Sequence, residues 1–138
     1  MPHPGINWLA IIVAALIPMV VGGLWYSNLL FAKQWLGLVG KTEEEIRSTT
    51  KSPATMYGVT FIMCLIMAYV MEYFVYYTES ATFLQGMKIG GLLCIGMAVT
   101  VGYQSVTFEF RKNGLYIISM AYNLISMVLM GGLLAVWR

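Results

Sequence analysis

Aspartate is missing from this chain of 138 residues, and histidine occurs once, as His3 in the N-terminal segment. Zinc and di-metal centres need several such side chains brought together, so neither a metal nor a cofactor is expected. Catalysis is short of groups for the same reason. The serines and threonines inside the apolar stretches have no base at a matching depth, and neither a phosphate loop nor a dinucleotide motif is present, which points away from an enzyme. Charge is scarce too: Asp, Glu, Lys and Arg make up 10% of the chain, less than half of what a soluble domain carries. A net charge of +2, with the basic residues at the ends of apolar stretches, gives no footprint for nucleic acid. The two cysteines, Cys64 and Cys94, are too few for a disulfide framework and fall mid-stretch, where they read as small packing residues. A bridge between them would require two helices to meet disulfide geometry.

What the chain has in abundance is apolar side chains, 59% of the total. They gather in four runs, at about 6–31, 54–77, 83–106 and 115–137, each long enough to cross a bilayer. In hydrocarbon every run must satisfy its own backbone hydrogen bonds, which dictates helices. The fold class is therefore all-α: a single membrane domain, 1–138, built as a four-transmembrane-helix bundle with helices at about 6–31, 53–77, 83–106 and 115–137. An even number of crossings puts both termini on one side. Lys33, Lys41, Arg47 and Lys51 lie between the first two helices and Arg111 and Lys112 between the last two, against Lys88 and Arg138 on the other side. The positive-inside tendency turns the basic loops to the cytoplasm and both termini outward. Residues 1–5 lack both a basic start and a small-residue cleavage signal, so the first helix is expected to persist in the mature protein.

Local signals punctuate the runs. Pro18, followed by Gly22 and Gly23, predicts a kink in the first helix. Trp25, Tyr26, Phe31 and Trp35 suit the inner headgroup boundary, and Trp8 and Trp137 the outer one. Thr42 and Glu45 stand at capping-box spacing ahead of a short amphipathic cytoplasmic helix at about 43–50. Ser52 and Pro53 read as N-cap and first residue of the second helix. Thr82 and Gln85 form another capping box, and Asn113 with Gly114 supplies a turn. The short connections make helices two and three an antiparallel hairpin, and helices three and four neighbours.

Three groupings could carry function. Gly86, Gly90, Cys94, Ala98 and Gly102 form a strip of small residues along helix three, a helix-packing face for a helix of this chain or of a partner. Glu72 and Lys88 are charges within the runs, and an intramembrane carboxylate is a functional candidate by default. Lys88 projects nearly opposite Gly86 and Gly90, so two arrangements stay open. Either Glu72 and Lys88 pair across the hairpin and the strip faces elsewhere, or Lys88 snorkels to the headgroups. The third grouping is polar and lies in the cytoplasmic half: Asn28, Tyr57, Thr60, Thr100, Gln104, Ser119, Tyr122, Asn123 and Ser126. Of these Asn28, Gln104, Tyr122 and Asn123, together with Trp25 and Tyr26, are the ligand-binding candidates, because polar groups in a bilayer turn to the bundle interior or to a wet cavity.

Asn7-Trp8-Leu9-Ala10, Gly22, Trp25-Tyr26, Leu30-Phe31 and Trp35, with Phe108-Glu109, Arg111, Ala121-Tyr122, Met130-Gly131 and Trp137, resemble the bacterial membrane proteins grouped as the domain of unknown function 1761 family. The resemblance runs nearly the whole length and is most specific at the Trp-Tyr segment and the Phe-Glu-x-Arg loop. It implies a four-helix protein of the bacterial inner membrane, with Asn123 where the family pattern commonly has histidine. The leading expectation is a non-enzymatic homo-oligomer that binds or passes a small molecule through the inward polar cluster. The alternative is a structural or accessory subunit, docking a partner helix through the glycine-rich face of helix three. The expected partners are the lipid bilayer and either further copies of the chain or another membrane protein.

Overall fold

The computed structural model describes residues 5–27, 30–40, 44–45 and 53–137. Among them the chain is all-helical, and four helices are long and apolar enough to cross a membrane: Trp8–Trp25, Ala54–Tyr77, Phe83–Thr107 and Asn113–Val136. Most of the short helix expected at 43–50, its capping box at Thr42, and Ser52 and Asn28 lie outside the described residues.

The first span begins where Asn7, in extended backbone, accepts the Ala10 N–H on its side chain and so satisfies one of the helix's open donors. It ends at Trp25, short of the expected residue 31. Gly22 and Gly23 weaken the last turns, and the Ser27 hydroxyl donates to the Leu24 carbonyl at 2.6 Å, a local bond that competes with continuing the helix. The chain resumes as a connector helix, Ala32–Val39, closed by Gly40 at φ 77, a left-handed position suited to glycine. Leu38 of this connector rests on Gly114 at the start of the fourth span, where a β-carbon would meet it at 3.1 Å.

The second span, Pro53–Tyr77, carries its proline in the first turn, where a missing donor costs nothing. Thr82 and Gln85 form the capping box that opens the third span, with Thr82 Oγ1 accepting from the Gln85 N–H and Gln85 Oε1 from the Thr82 N–H, both at 3.2 Å. Midway along this span the helix widens into a π segment, Cys94–Val99, before short α-helical pieces carry it to Thr107. Tyr116 of the fourth span donates its hydroxyl to the Val99 carbonyl at the end of that segment. A side chain from a neighbouring helix thus covers the backbone where the regular ladder is interrupted.

The core sets small residues of the first span against larger apolar side chains of its neighbours. Ala10, Ala14 and Ala15 of the first span meet Ala68, Met71 and Val75 of the second and Met130 and Leu134 of the fourth, all in one buried cluster. The third span packs chiefly on the fourth, and the second and third, although joined by a short connection, diverge. The hairpin expected between them is a sequential pair of helices without a close seam. Outward, Leu16, Val20, Ile62, Ile66, Leu84, Leu92 and Ile117 are exposed, an apolar surface suited to lipid.

Candidate functional site

The glycine strip meets the fourth span. A β-carbon on Gly86 would stand 2.0 Å from the Gly131 carbonyl oxygen, and one on Gly90 would stand 2.1 Å from that of Met127. Cys94 is fully buried, and Gly102 lies against Met120 and Tyr116. Ala98 packs against the core and also borders an open groove. Gly86 and Gly90 of the strip therefore face the fourth span of the same chain. Lys88, projecting the other way, is exposed, whereas Glu72 is 3% exposed on the second span. The exposure of Lys88 fits the arrangement in which it reaches toward the headgroups.

The polar grouping divides. Trp25 donates its indole Nε1–H to the Ile118 carbonyl at 3.0 Å, and Tyr122 donates its hydroxyl to the Pro18 carbonyl at 2.7 Å. Gly22 makes room for the Tyr122 ring, which a β-carbon there would crowd at 3.2 Å. Ser119 Oγ accepts from Arg111 Nη2 at 2.8 Å and, more weakly, from the Tyr26 hydroxyl at 3.5 Å. Tyr26 also meets the rings of Trp35 and Tyr122, with centroids 5.8 and 5.7 Å away. Trp25, Tyr26 and Tyr122 are thus brought together, with Ser119 and Arg111 added, as a clasp between the first and fourth spans.

The remaining candidates do not join it. Gln104, Thr100, Tyr57 and Thr60 are exposed, on the outside of the bundle rather than in its interior. Thr60 satisfies its hydroxyl on the Met56 carbonyl at 2.8 Å, and Thr100 does the same on Gly96 at 2.8 Å, so each hydroxyl is served by its own helix and needs no interior partner. Asn123 is half-buried, and its amide reaches the Met120 thioether at 3.9 Å. Asn28 lies outside the described residues.

A feature that sequence reasoning missed lies where the second and third spans diverge. Met67, Val70, Met71 and Phe74 of the second, Leu93, Met97 and Ala98 of the third and Met127 of the fourth line a groove of about 460 Å³. All its lining side chains are apolar. Met71 and Met127 are buried, while Val70, Phe74 and Met97 are exposed at its mouth. A signal was present in sequence: Met130-Gly131-Gly132 supplies the small surface that draws the glycine strip of helix three toward helix four and away from helix two.

Neither a curated protein nor a solved structure matches the chain. A family model does, over residues 9–135, and it takes in both the clasp and the groove. The chain belongs to the family described as protein of unknown function (DUF1761).

Proposed function

We propose that the protein is a non-enzymatic component of the bacterial inner membrane that takes an apolar or amphipathic small molecule from the bilayer into the groove between its second and third spans. The groove carries this reading. Its 460 Å³ falls within the range of small-molecule sites, roughly 300–1,000 Å³. A ten-residue stretch of helix, about 15 Å long and 10–12 Å wide, fills roughly 1,400 Å³, so the space suits a chain or small molecule better than a partner helix. Four of the eight lining residues are methionines, whose flexible side chains adapt to more than one shape of ligand. The inner polar groups support this placement indirectly. Trp25, Tyr26, Ser119 and Tyr122 are engaged with one another or with backbone carbonyls, which favours a structural clasp over a polar route.

Photolabelling in proteoliposomes tests the proposal, with a photoactivatable long-chain alcohol as the probe. Adducts are expected at Met67, Met71 and Met97, and Met97→Trp, which fills the mouth, should lower labelling of the other two severalfold. Adducts spread evenly over outward residues such as Leu16, Ile62 and Leu84, unchanged by Met97→Trp, would overturn it.

A further inference from the structure

Between the third and fourth spans the chain reverses over residues 108–112, and there two phenylalanines stand almost free of the protein. Phe108 is 75% exposed and Phe110 is 87% exposed. Phe110 also adopts φ 58, a left-handed conformation that costs energy for a bulky side chain. The residue after it is firmly held: the Arg111 N–H donates to the Ser105 carbonyl at 3.0 Å, and its guanidinium donates to Ser119 at 2.8 Å. Lys112 follows as the N-cap residue of the fourth span, with its side chain exposed and making no cap bond. The connector helix, tied to this end by Leu38 on Gly114, adds exposed Lys33. Glu109 is the opposing charge within the turn.

We propose that this turn is an interfacial anchor for anionic phospholipid. Phe108 and Phe110 lie in the headgroup boundary, and Arg111, Lys112 and Lys33 hold acidic headgroups. The position supports it, since Thr107 ends one membrane span and Asn113 begins the next, leaving the turn at the edge of the hydrocarbon. Ring burial in that layer outweighs the strain at Phe110, whereas in water the same backbone would be strained to expose an apolar ring. Arg111 and Lys112 against Glu109 leave the turn net positive, which matches an anionic leaflet, and aromatic rings beside basic residues are the combination that the boundary selects. This inference stands apart from the groove and does not depend on any ligand there.

A spin label on Phe110→Cys reports depth, with Cys64 and Cys94 left in place because both are buried. In vesicles of phosphatidylcholine with phosphatidylglycerol, the label should collide with oxygen in preference to an aqueous nickel chelate, and lie deeper than in phosphatidylcholine alone. Lys112→Gln and Arg111→Gln should each lower the preference for retained phosphatidylglycerol, read by native mass spectrometry, about fivefold. Lys112→Gln removes no cap bond among the described residues, so it separates headgroup binding from damage to the turn. A label freely reached by the nickel chelate, or a lipid preference unchanged in Lys112→Gln, would overturn the proposal.

Discussion

The spacing between the third and fourth spans is set by the lack of a β-carbon at Gly86, Gly90 and Gly131. A methyl group on any of them would stand 2.0–2.2 Å from a carbonyl oxygen of the facing helix, and backbone cannot rotate aside as a side chain does. Lipid supplies no hydrophobic drive for helix association, so this close approach is where dispersion and backbone contacts hold the pair. Gly90→Ala should therefore destabilise the protein by about 2–3 kcal/mol, as overpacking of a tight contact does. Gly58 is also within a helix but has nothing within 4 Å of its missing β-carbon. There the same substitution should be neutral or stabilising by up to about 1 kcal/mol, since alanine is the better helix former. Thermal unfolding in detergent of the two single variants makes the comparison. Equal midpoints for both would mean that the glycine contact is not what holds the spans together.

At the scale of elements, the C-terminal end of the first span depends on its neighbour. Pro18 removes one ladder bond, Gly22 and Gly23 weaken the turns that follow, and the helix stops at Trp25. Two long-range bonds hold that end to the fourth span, Tyr122 to the Pro18 carbonyl and Trp25 to the Ile118 carbonyl. A hydrogen bond between membrane helices contributes about 0.6 kcal/mol on average, so each is modest and the pair matters together. The double variant Trp25→Phe, Tyr122→Phe should speed hydrogen exchange at residues 19–25 while leaving 10–15 unchanged, because that stretch is held by core packing and the Asn7 cap rather than by the clasp. Uniform acceleration along the whole span would instead mean that the clasp supports the entire helix.

The four spans, the capping box at Thr82 and the pairing of helices three and four were legible in sequence, because length in hydrocarbon and short polar punctuation leave few alternatives. The end of the first span was not, since it depends on Ser27 closing back on Leu24. The side of helix three that receives each residue was only half legible. Residues four apart drift by about 40° per step on a regular helix, which would carry Gly102 well away from Gly86. The π segment at Cys94–Val99 accommodates about one extra residue and returns of the order of 100° of that drift, so Gly102 still meets the fourth span at Tyr116 and Met120. No residue type announces a π segment. For the same reason Gln104, grouped by regular spacing with an interior cluster, is exposed. The groove escaped notice because it is made by two helices failing to meet, and its trace in the sequence is indirect: the small surface at Gly131 and Gly132 that draws helix three to helix four.

For the molecule as a whole, the distribution of charge leads to one further expectation, the direction of insertion. Lys33, Arg111 and Lys112 lie at the end of the bundle that holds the connector helix and the 108–112 turn, while Lys88 is the basic side chain toward the other end among the described residues. Short basic loops resist translocation, and each Lys or Arg near an anionic leaflet gains about 1 kcal/mol. The three together favour one orientation by about 3 kcal/mol, against about 1 kcal/mol from Lys88, a difference worth more than tenfold in population. The two connections offer matched reporters, since Lys112 and Glu79 are both exposed and lie on opposite sides of the bundle. A membrane-impermeant thiol reagent applied to intact cells should label Glu79→Cys and spare Lys112→Cys, with the pattern reversed in inside-out vesicles. Labelling of Lys112→Cys from outside would turn the protein over. It would place the Phe108 and Phe110 anchor in the outer leaflet and make Lys88 the inward-lying cation.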